Sequence, residues 1–474
     1  MQNDTIAAIA TPPGQGGIGI IRVSGFEAFG LVQPLFRYPG QEKGLPPSHM
    51  LTYGRIVDPA TQEILDEVLV AFMCSPRTYT REDVVEIQGH GGPLLLQRIL
   101  RLLLAGGARL ANPGEFTLRA FLNGRLDLAQ AESVMDLISA RTEAGQRLAM
   151  QQLQGRISSQ VQDARHAILG VIARIEASID FPEDDIPTPR QEELLPLIEI
   201  AQARVAALLA GSEQGRLYRQ GLRTAIIGRP NVGKSSMLNA LLRTERAIVT
   251  PVAGTTRDTV EEVVNLRGIP LYLIDTAGIT PTDDPVEQIG VQRSRSAAEG
   301  AEVVLLIFDS SAPLDEQDRQ ISAELRAMGF GGQAQFNADE RRRAVLIALN
   351  KSDQGQRLDP EEIHRLWPEA IFIFTSTITG EGLDELEEAL ANLVLAGHAS
   401  FGEEALVTSA RHQSALRTAG EHLRASRQAL EQQLPLDFVS IDLTAAYHTL
   451  GEVTGETASE DLLERIFSEF CIGK

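Results

Sequence analysis

The sequence predicts a multidomain protein. It has an N-terminal α+β module, a discontinuous α-helical domain, and an α/β domain inserted between the helical halves around a phosphate-binding loop (P-loop). Three observations carry this reading. From about residue 216 to 385, short apolar runs alternate with helically spaced segments, the mark of a mostly parallel sheet covered on both faces. On either side, Leu126 to Ile179 and the chain beyond Ser400 follow a helical period. Residues 1–120 are instead rich in glycine and proline and alternate apolar with polar side chains. The expected domains are 1–120, 121–215, 216–385 and 386–474.

Composition sets the outer bounds. At 474 residues the chain is too long for one core, and 43% hydrophobic residues describe a soluble globular protein. The longest apolar run, Val303 to Phe308, is far short of the ~18–20 residues of a membrane span. Met1 to Thr5 lacks the charged and apolar regions of a signal peptide. Two cysteines, Cys74 and Cys471, make no disulfide framework, so the expected compartment is the reducing cytoplasm. A net charge of -21 argues against broad binding to a phosphate backbone. A local basic patch or a basic partner still leaves nucleic acid open as a substrate.

In chain order, 18–23, 67–72 and 83–87 read as strands, and 93–104 as an amphipathic helix. Between Leu126 and Ile179, Val134, Leu137, Ile138, Leu148 and Leu153 fall at helical spacing. Pro182, Pro187 and Pro189 then stop the helix, and 191–211 resumes it. Strands are expected at 222–227, 259–266, 270–274, 303–308, 344–349 and 371–374, with 331–343 an exposed loop. Leu416, Ala419, Leu423 and Leu430 make one helical stripe, and Val439, Leu443, Ala446 and Leu450 another. Thr457 and Glu460 form a capping box ahead of Leu462, Leu463, Ile466 and Phe467.

The chemistry begins at Gly228-Arg229-Pro230-Asn231-Val232-Gly233-Lys234-Ser235-Ser236, which fits G-x-x-x-x-G-K-[ST] between a buried strand and a helix. Backbone N–H groups there cradle phosphates, aided by the helix dipole. The nucleotide contacts expected on this loop are Asn231, Val232, Gly233, Lys234, Ser235 and Ser236. Lys234 neutralises β/γ charge and Ser235 ligates Mg²⁺. Asp275-Thr276-Ala277-Gly278 follows the strand 270–274, where an acid supports the Mg²⁺ shell and a glycine N–H approaches the γ-phosphate. Asn350-Lys351-Ser352-Asp353, after the strand 344–349, resembles the guanine-reading motif of GTPases. Asp353 accepts from two adjacent donors on guanine that adenine lacks, so it selects GTP over ATP; Asn350 and Lys351 frame the base. Ser376 is the last expected base contact, although Ser376-Thr377-Ile378 departs from the usual Ser-Ala-Lys or Ser-Ala-Arg.

One position is out of pattern. Many GTPases orient the attacking water with a glutamine after Asp-x-x-Gly, and here Ile279 stands there. The candidate replacement is 250–258, in which Thr256 ligates Mg²⁺ and nearby carbonyls help hold a second cation.

Asn231 together with Gly254-Thr255-Thr256-Arg257-Asp258 resembles the potassium-dependent GTPases of the TrmE/Era-type family. The resemblance implies K⁺ at Asn231, Thr250, Val252 and Thr255, where an arginine finger otherwise acts. It also implies GTP contacts along Thr250, Pro251, Val252, Ala253, Gly254, Thr255 and Thr256. Val286-Glu287-Gln288-Ile289-Gly290 resembles the segment holding one subfamily's water-orienting glutamate, so Glu287 joins Lys234 and Thr256 as a catalytic candidate. Three further stretches resemble the same tRNA-modifying subfamily: Asp4 to Gly14, Glu86 to Pro93, and Phe470-Cys471-Ile472-Gly473-Lys474.

That resemblance covers essentially the whole chain. It implies an N-terminal domain that binds a tetrahydrofolate derivative and forms the homodimer, and a helical domain in two parts, 121–215 and 386–474. It implies a flavoprotein partner, MnmG (GidA), carrying FAD in a hetero-oligomer. Together they add a carboxymethylaminomethyl group to carbon 5 of the wobble uridine of certain tRNAs, GTP hydrolysis driving conformational change. No membrane is implied. Folate contacts carry over to Arg22, Glu86, Arg125 (a lysine in some members) and Lys474. Read bare, Arg22 and Glu86 make a surface ion pair and Arg125 shields a helix face. Cys471 reads as a buried small hydrophobe without a catalytic role, and His90 as a turn residue near the folate pocket. No His/Cys cluster has zinc spacing. The alternative function is a GTPase switch or assembly factor for ribosome or RNA maturation, which predicts a basic RNA-binding domain and not the folate-type signatures.

Overall fold

The computed structural model describes residues 4–39, 44–180, 189–244, 261–274, 297–331, 343–395 and 407–474. They fall into two compact units. One joins Met1–Met135, Leu153–Leu169 and Leu443–Lys474, and the other joins Asp136–Gln152 and Gly170–Asp442.

The first unit is built on a seven-stranded sheet of β1 (Ile6–Ile9), β2 (Gly16–Ser24), β3 (Phe36–Arg37), β4 (Leu51–Val57), β5 (Ile64–Met73), β6 (Val84–Gly91) and β7 (Arg109–Leu110). Its order is β3-β4-β5-β6-β2-β1-β7, antiparallel except for the β1–β7 pair. The expected strands 18–23 and 67–72 lie within β2 and β5, and 83–87 covers the first half of β6, beginning one residue early. Helix Pro93–Ala105 starts with proline in its first turn, where a missing N–H costs nothing. It buries Leu96, Ile99 and Leu103 in one core with Val23, Val70 and Ile87. Each such side chain contributes about 1.5–3 kcal/mol.

The helical part of this unit packs Phe467 and Phe470 against Leu128 and Ala131. Helix Glu460–Ser468 is capped by Ser459, which accepts from the Leu462 N–H at 3.3 Å. Thr457 was expected as the cap. Its hydroxyl instead donates to the His448 carbonyl at 3.1 Å, because the helix starts two residues later than the capping-box spacing requires.

The second unit holds β8 (Leu222–Ile227), β9 (Glu261–Leu266), β10 (Ile269–Ile274), β11 (Val303–Asp309), β12 (Phe330–Gly331), β13 (Arg343–Asn350) and β14 (Ile371–Thr375). The order is β12-β13-β11-β8-β10-β9, with β14 also on β13. Every pair is parallel except β9–β10. Strands buried on both faces read as unbroken apolar runs, and β11 and β13 do. Ile226, Leu305 and Leu346 face one core with Met237, Leu241, Leu386 and Leu390, from helices Lys234–Thr244 and Leu383–Leu395. Ile227, Val304 and Val345 face the other with Leu325 and Ile363, from helices Glu316–Ala327 and Pro360–Leu366. The expected two-faced parallel sheet is this one. Of the expected strands and loop, 259–260 and 332–342 lie outside the described residues.

The long helical stretch expected from Leu126 divides into Leu128–Ser139, Glu143–Leu153 and Arg156–Asp180, and Ile138 is exposed. The stripe Leu416, Ala419, Leu423 and Leu430 is buried on helix Ala410–Glu431. Among the described residues, 191–220 is the one helical stretch whose length and apolar character match a membrane span. Its helix Gln191–Ala210 buries Leu194, Ile198, Ala201, Val205 and Leu208 at three- and four-residue spacing, beside Ala410–Glu431. That is the stripe of an amphipathic core helix.

Candidate functional site

The phosphate loop leaves β8 at Ile227 and enters its helix at Lys234. Gly228 passes so close to β11 that an added Cβ would lie 2.5 Å from the Ile307 carbonyl oxygen. Asn231 takes the left-handed backbone at φ 64°, which asparagine tolerates better than most residues. Lys234 Nζ donates to the carbonyls of Gly228 and Arg229 at 2.9 Å each, so the loop wraps its own ammonium group. Ser235 and Ser236 are exposed at the helix start. A hydroxyl there is a hard oxygen donor of the kind Mg²⁺ takes.

The residues expected to read the base collect on the same carboxyl edge of the sheet, where open α/β sheets bind ligands. Asn350 ends β13, is 1% exposed, and donates Nδ2 to the Val232 carbonyl at 2.8 Å. It therefore braces the phosphate loop directly. Asp353 is exposed, with one oxygen accepting from Ser376 Oγ at 2.7 Å. Ser376 Oγ is itself fixed by the N–H groups of Ile378 and Thr379 at 3.3 and 3.2 Å. The unusual Ile378 is 77% exposed and lines, with Ser236, Asn239, Ala240 and Thr379, a cavity of about 540 Å³.

Lys351 stands at φ 65° and its Nζ lies 2.7 Å from Asp309 Oδ2. Burial works to raise the Asp309 pKa, but hydrogen bonds from Lys351 and Ser311 outweigh it and hold the carboxyl below its ordinary value. Arg229 lies between Asp315 and Asp318, 3.3 Å from each. Those two acids form the capping box of helix Glu316–Ala327. Thr250, Pro251, Val252, Ala253, Gly254, Thr255, Thr256, Asp275, Thr276, Ala277, Gly278, Ile279 and Glu287 lie outside the described residues.

In the first unit, Arg22, Glu86, Arg125 and Lys474 converge. Arg22 and Glu86 are register partners on β2 and β6 and pair at 2.9 Å, half-buried. Arg22 also donates to the Gly473 carbonyl at 3.2 Å, and the Phe116 N–H donates to that of Lys474 at 3.2 Å. Tyr79 joins the group: its ring centroid lies 5.5 Å from the Arg22 guanidinium and 4.6 Å from that of Arg125, within cation–π range. Arg125 donates to the Tyr79 carbonyl at 2.8 Å, and the Tyr79 hydroxyl meets Thr117 at 2.9 Å. Phe116 faces Arg22 at 5.6 Å. Sequence reasoning found neither aromatic ring; the lone tyrosine in the polar run 78–83 was the available signal.

His90 pairs with Asp66, Nδ1 to Oδ1 at 2.6 Å, and that hydrogen bond raises its pKa. At the other end of β6, Arg109 and Arg119 share Asp4 and Glu115. Burial works to raise the Glu115 pKa, and the hydrogen bond from Arg109 leads those that bring it lower overall. Cys471 corrects an expectation: it is exposed and lies past the last helix, because Phe470 takes the buried position beside it.

A mostly parallel sheet covered on both faces, with a phosphate loop after β8 and Asn350-Lys351-Ser352-Asp353 after β13, defines a P-loop GTP hydrolase. The sequence model described as the MnmE helical domain matches residues 128–471, and that of the GTP-binding protein TrmE N-terminus matches 5–125. The chain is 47% identical over 472 residues to the tRNA modification GTPase MnmE of Ligilactobacillus salivarius, covering 99% of this chain and 98% of that one. It is 44% identical over 475 residues to that of Enterococcus faecalis, covering 100% and 99%. It is 46% identical over 474 residues to that of Natranaerobius thermophilus, covering both chains fully. The chain belongs to the MnmE family.

Proposed function

We propose that the protein is a potassium-dependent GTPase that takes part in adding a carboxymethylaminomethyl group to C5 of the wobble uridine of certain tRNAs. The observation that carries the nucleotide half is the Asn350–Val232 contact beside the Ser376–Asp353 hydrogen bond. It sets a guanine-reading carboxylate and a phosphate cradle on one row of strand ends.

In this reading Lys234 turns from the loop carbonyls to the β/γ-phosphates, and backbone N–H groups of 231–236 receive the remaining charge. Asp353 accepts from the guanine edge while Ser376 holds it in place. Ser235 and Thr256 hold Mg²⁺; Asn231, Thr250, Val252 and Thr255 hold K⁺. The K⁺ would supply the charge neutralisation that an arginine finger gives other GTPases, with Mg²⁺ serving the phosphates as it does in both. Glu287 orients the attacking water.

Arg22, Glu86, Arg125 and Lys474 bind the tetrahydrofolate derivative, the one-carbon source. The two guanidiniums on the Tyr79 ring and the Arg22–Glu86 pair support this, since guanidinium groups suit a ligand's carboxylates and Glu86 suits ring N–H donors. We further propose a homodimer joined through residues 1–120 and a cytoplasmic location. The proposed partner is MnmG (GidA), a flavoprotein carrying FAD. The four domains remain 1–120, 121–215, 216–385 and 386–474.

Mass spectrometry of wobble uridine in cells lacking the protein tests the whole. The carboxymethylaminomethyl group should disappear and return with the wild-type gene. Unchanged modification in its absence refutes the proposal.

A further inference from the structure

We propose that Asp309 is a positioning residue for guanine recognition, acting through Lys351. The proposal rests on the reading of 350–353 as the base-reading segment. In that segment Asn350 is tied to the Val232 carbonyl and Asp353 to Ser376. Lys351 needs a tether more than either, because its stem has four rotatable bonds and its backbone sits in the left-handed region at φ 65°. Released to water, the ammonium would carry the stem across the place where the base lies.

Asp309 is built to prevent that. It is the last residue of β11 and the register partner of Asn350, so the sheet itself sets its distance from the segment. Its side chain is only 10% exposed. Oδ1 accepts from the Ser311 N–H at 3.0 Å and from Ser311 Oγ at 2.5 Å. That leaves Oδ2 turned to Lys351 Nζ at 2.7 Å. With both oxygens engaged, the carboxylate cannot swing, and a half-buried ion pair of fixed geometry resists screening better than an exposed one. Lys351 is thereby held extended along the strand ends, its stem a wall for the purine.

The test is a double-mutant cycle on the full chain with Asp309→Ala, Lys351→Ala and both together, reading KM for GTP, Kd for GDP and turnover at saturation. Asp309→Ala should raise KM and Kd together by about tenfold, about 1.4 kcal/mol. Turnover at saturation should change far less, because a base contact is made equally in ground and transition states. In the Lys351→Ala background, Asp309→Ala should add nothing. Asp309→Asn keeps an acceptor without the charge and should cost about threefold, also only when Lys351 is present; it carries the cycle if the alanine variant does not fold.

Effects that multiply instead of merging would make Asp309 a structural residue of β11 and overturn the proposal. So would an unchanged KM in Asp309→Ala. If Lys351→Ala alone leaves both affinities unchanged, the base reading of 350–353 falls, and this inference with it.

Discussion

Replacing Gly473 by alanine should detach the segment 471–474 from the first unit and remove folate binding without unfolding the protein. Gly473 sits at φ 94°, and an added Cβ would lie 2.6 Å from the Ile9 carbonyl oxygen and 2.8 Å from Ala10 Cα. Both neighbours are backbone next to the sheet and cannot yield cheaply. Left-handed strain costs about 1–2 kcal/mol, and overpacking adds about 1–3 kcal/mol. Against this, the segment is held by three hydrogen bonds. Arg22 donates to the Gly473 carbonyl, the Phe116 N–H to that of Lys474, and the Gly114 N–H to that of Cys471. At about 0.5–1.5 kcal/mol each, they are comparable to the penalty. Phe470, 6% exposed, adds a buried aromatic anchor just upstream that contributes about 1.5–3 kcal/mol. The chain should therefore peel away after Phe470 and no further. Isothermal titration with a tetrahydrofolate derivative should show at least a tenfold loss. Hydrogen exchange should rise at 471–474, while the melting temperature moves by only a few degrees. Unchanged exchange at 471–474 together with a normal folate titration would refute the reasoning.

GTP turnover should rise sharply when K⁺ replaces Na⁺; equal rates in the two salts exclude a cation site at Asn231. Glu287→Ala should lower turnover and leave GTP affinity nearly intact, as expected of a group acting on the transition state, whereas a matching loss of affinity would make the residue structural. Asn350→Ala strips the Val232 carbonyl of its donor, a buried loss of about 1–3 kcal/mol, so GTP affinity measured by titration should fall about tenfold or more. His90 should titrate above the ordinary histidine value by NMR, because the Asp66 hydrogen bond favours its charged form. The stability this pair adds is complete below the ordinary histidine pKa and fades as pH rises through the raised one. Asp66→Asn should return His90 to the ordinary range, and no change would assign the shift elsewhere.

The parallel sheet was legible because its strands are buried on both sides and read as unbroken apolar runs. β8 was expected at its observed bounds, and β11 and β13 to within a residue at each end. The first unit was harder. β3 and β7 have two residues each, too few to show a period. β4 carries Gly54 in its middle, where the Phe36 ring fills the space of a side chain. The phosphate loop and Asn350 to Asp353 were visible as motifs, since their chemistry requires fixed residue types at fixed spacing. Tyr79, Phe116 and Asp309 were not, because each earns its place through neighbours distant in sequence. Cys471 misled for a related reason: its burial depends on which side of Phe470 meets the core.

The first unit draws on Met1–Met135, on Leu153–Leu169, and then on the chain from Leu443 onward. On the ribosome the last of these pieces emerges long after the others. At about 5–20 residues per second, the roughly 270 residues before the last piece take on the order of 14–55 s to appear. Throughout that interval the sheet waits without the helix that carries Phe467 and without the segment that meets Arg22. The second unit, all of it encoded before Leu443, is finished first. Assembly of the two units therefore has a fixed order: the phosphate loop and its sheet are complete while the cluster around Arg22 is still missing its final strip of backbone. A chain cut short late in the message keeps the whole second unit and lacks the backbone that meets Arg22.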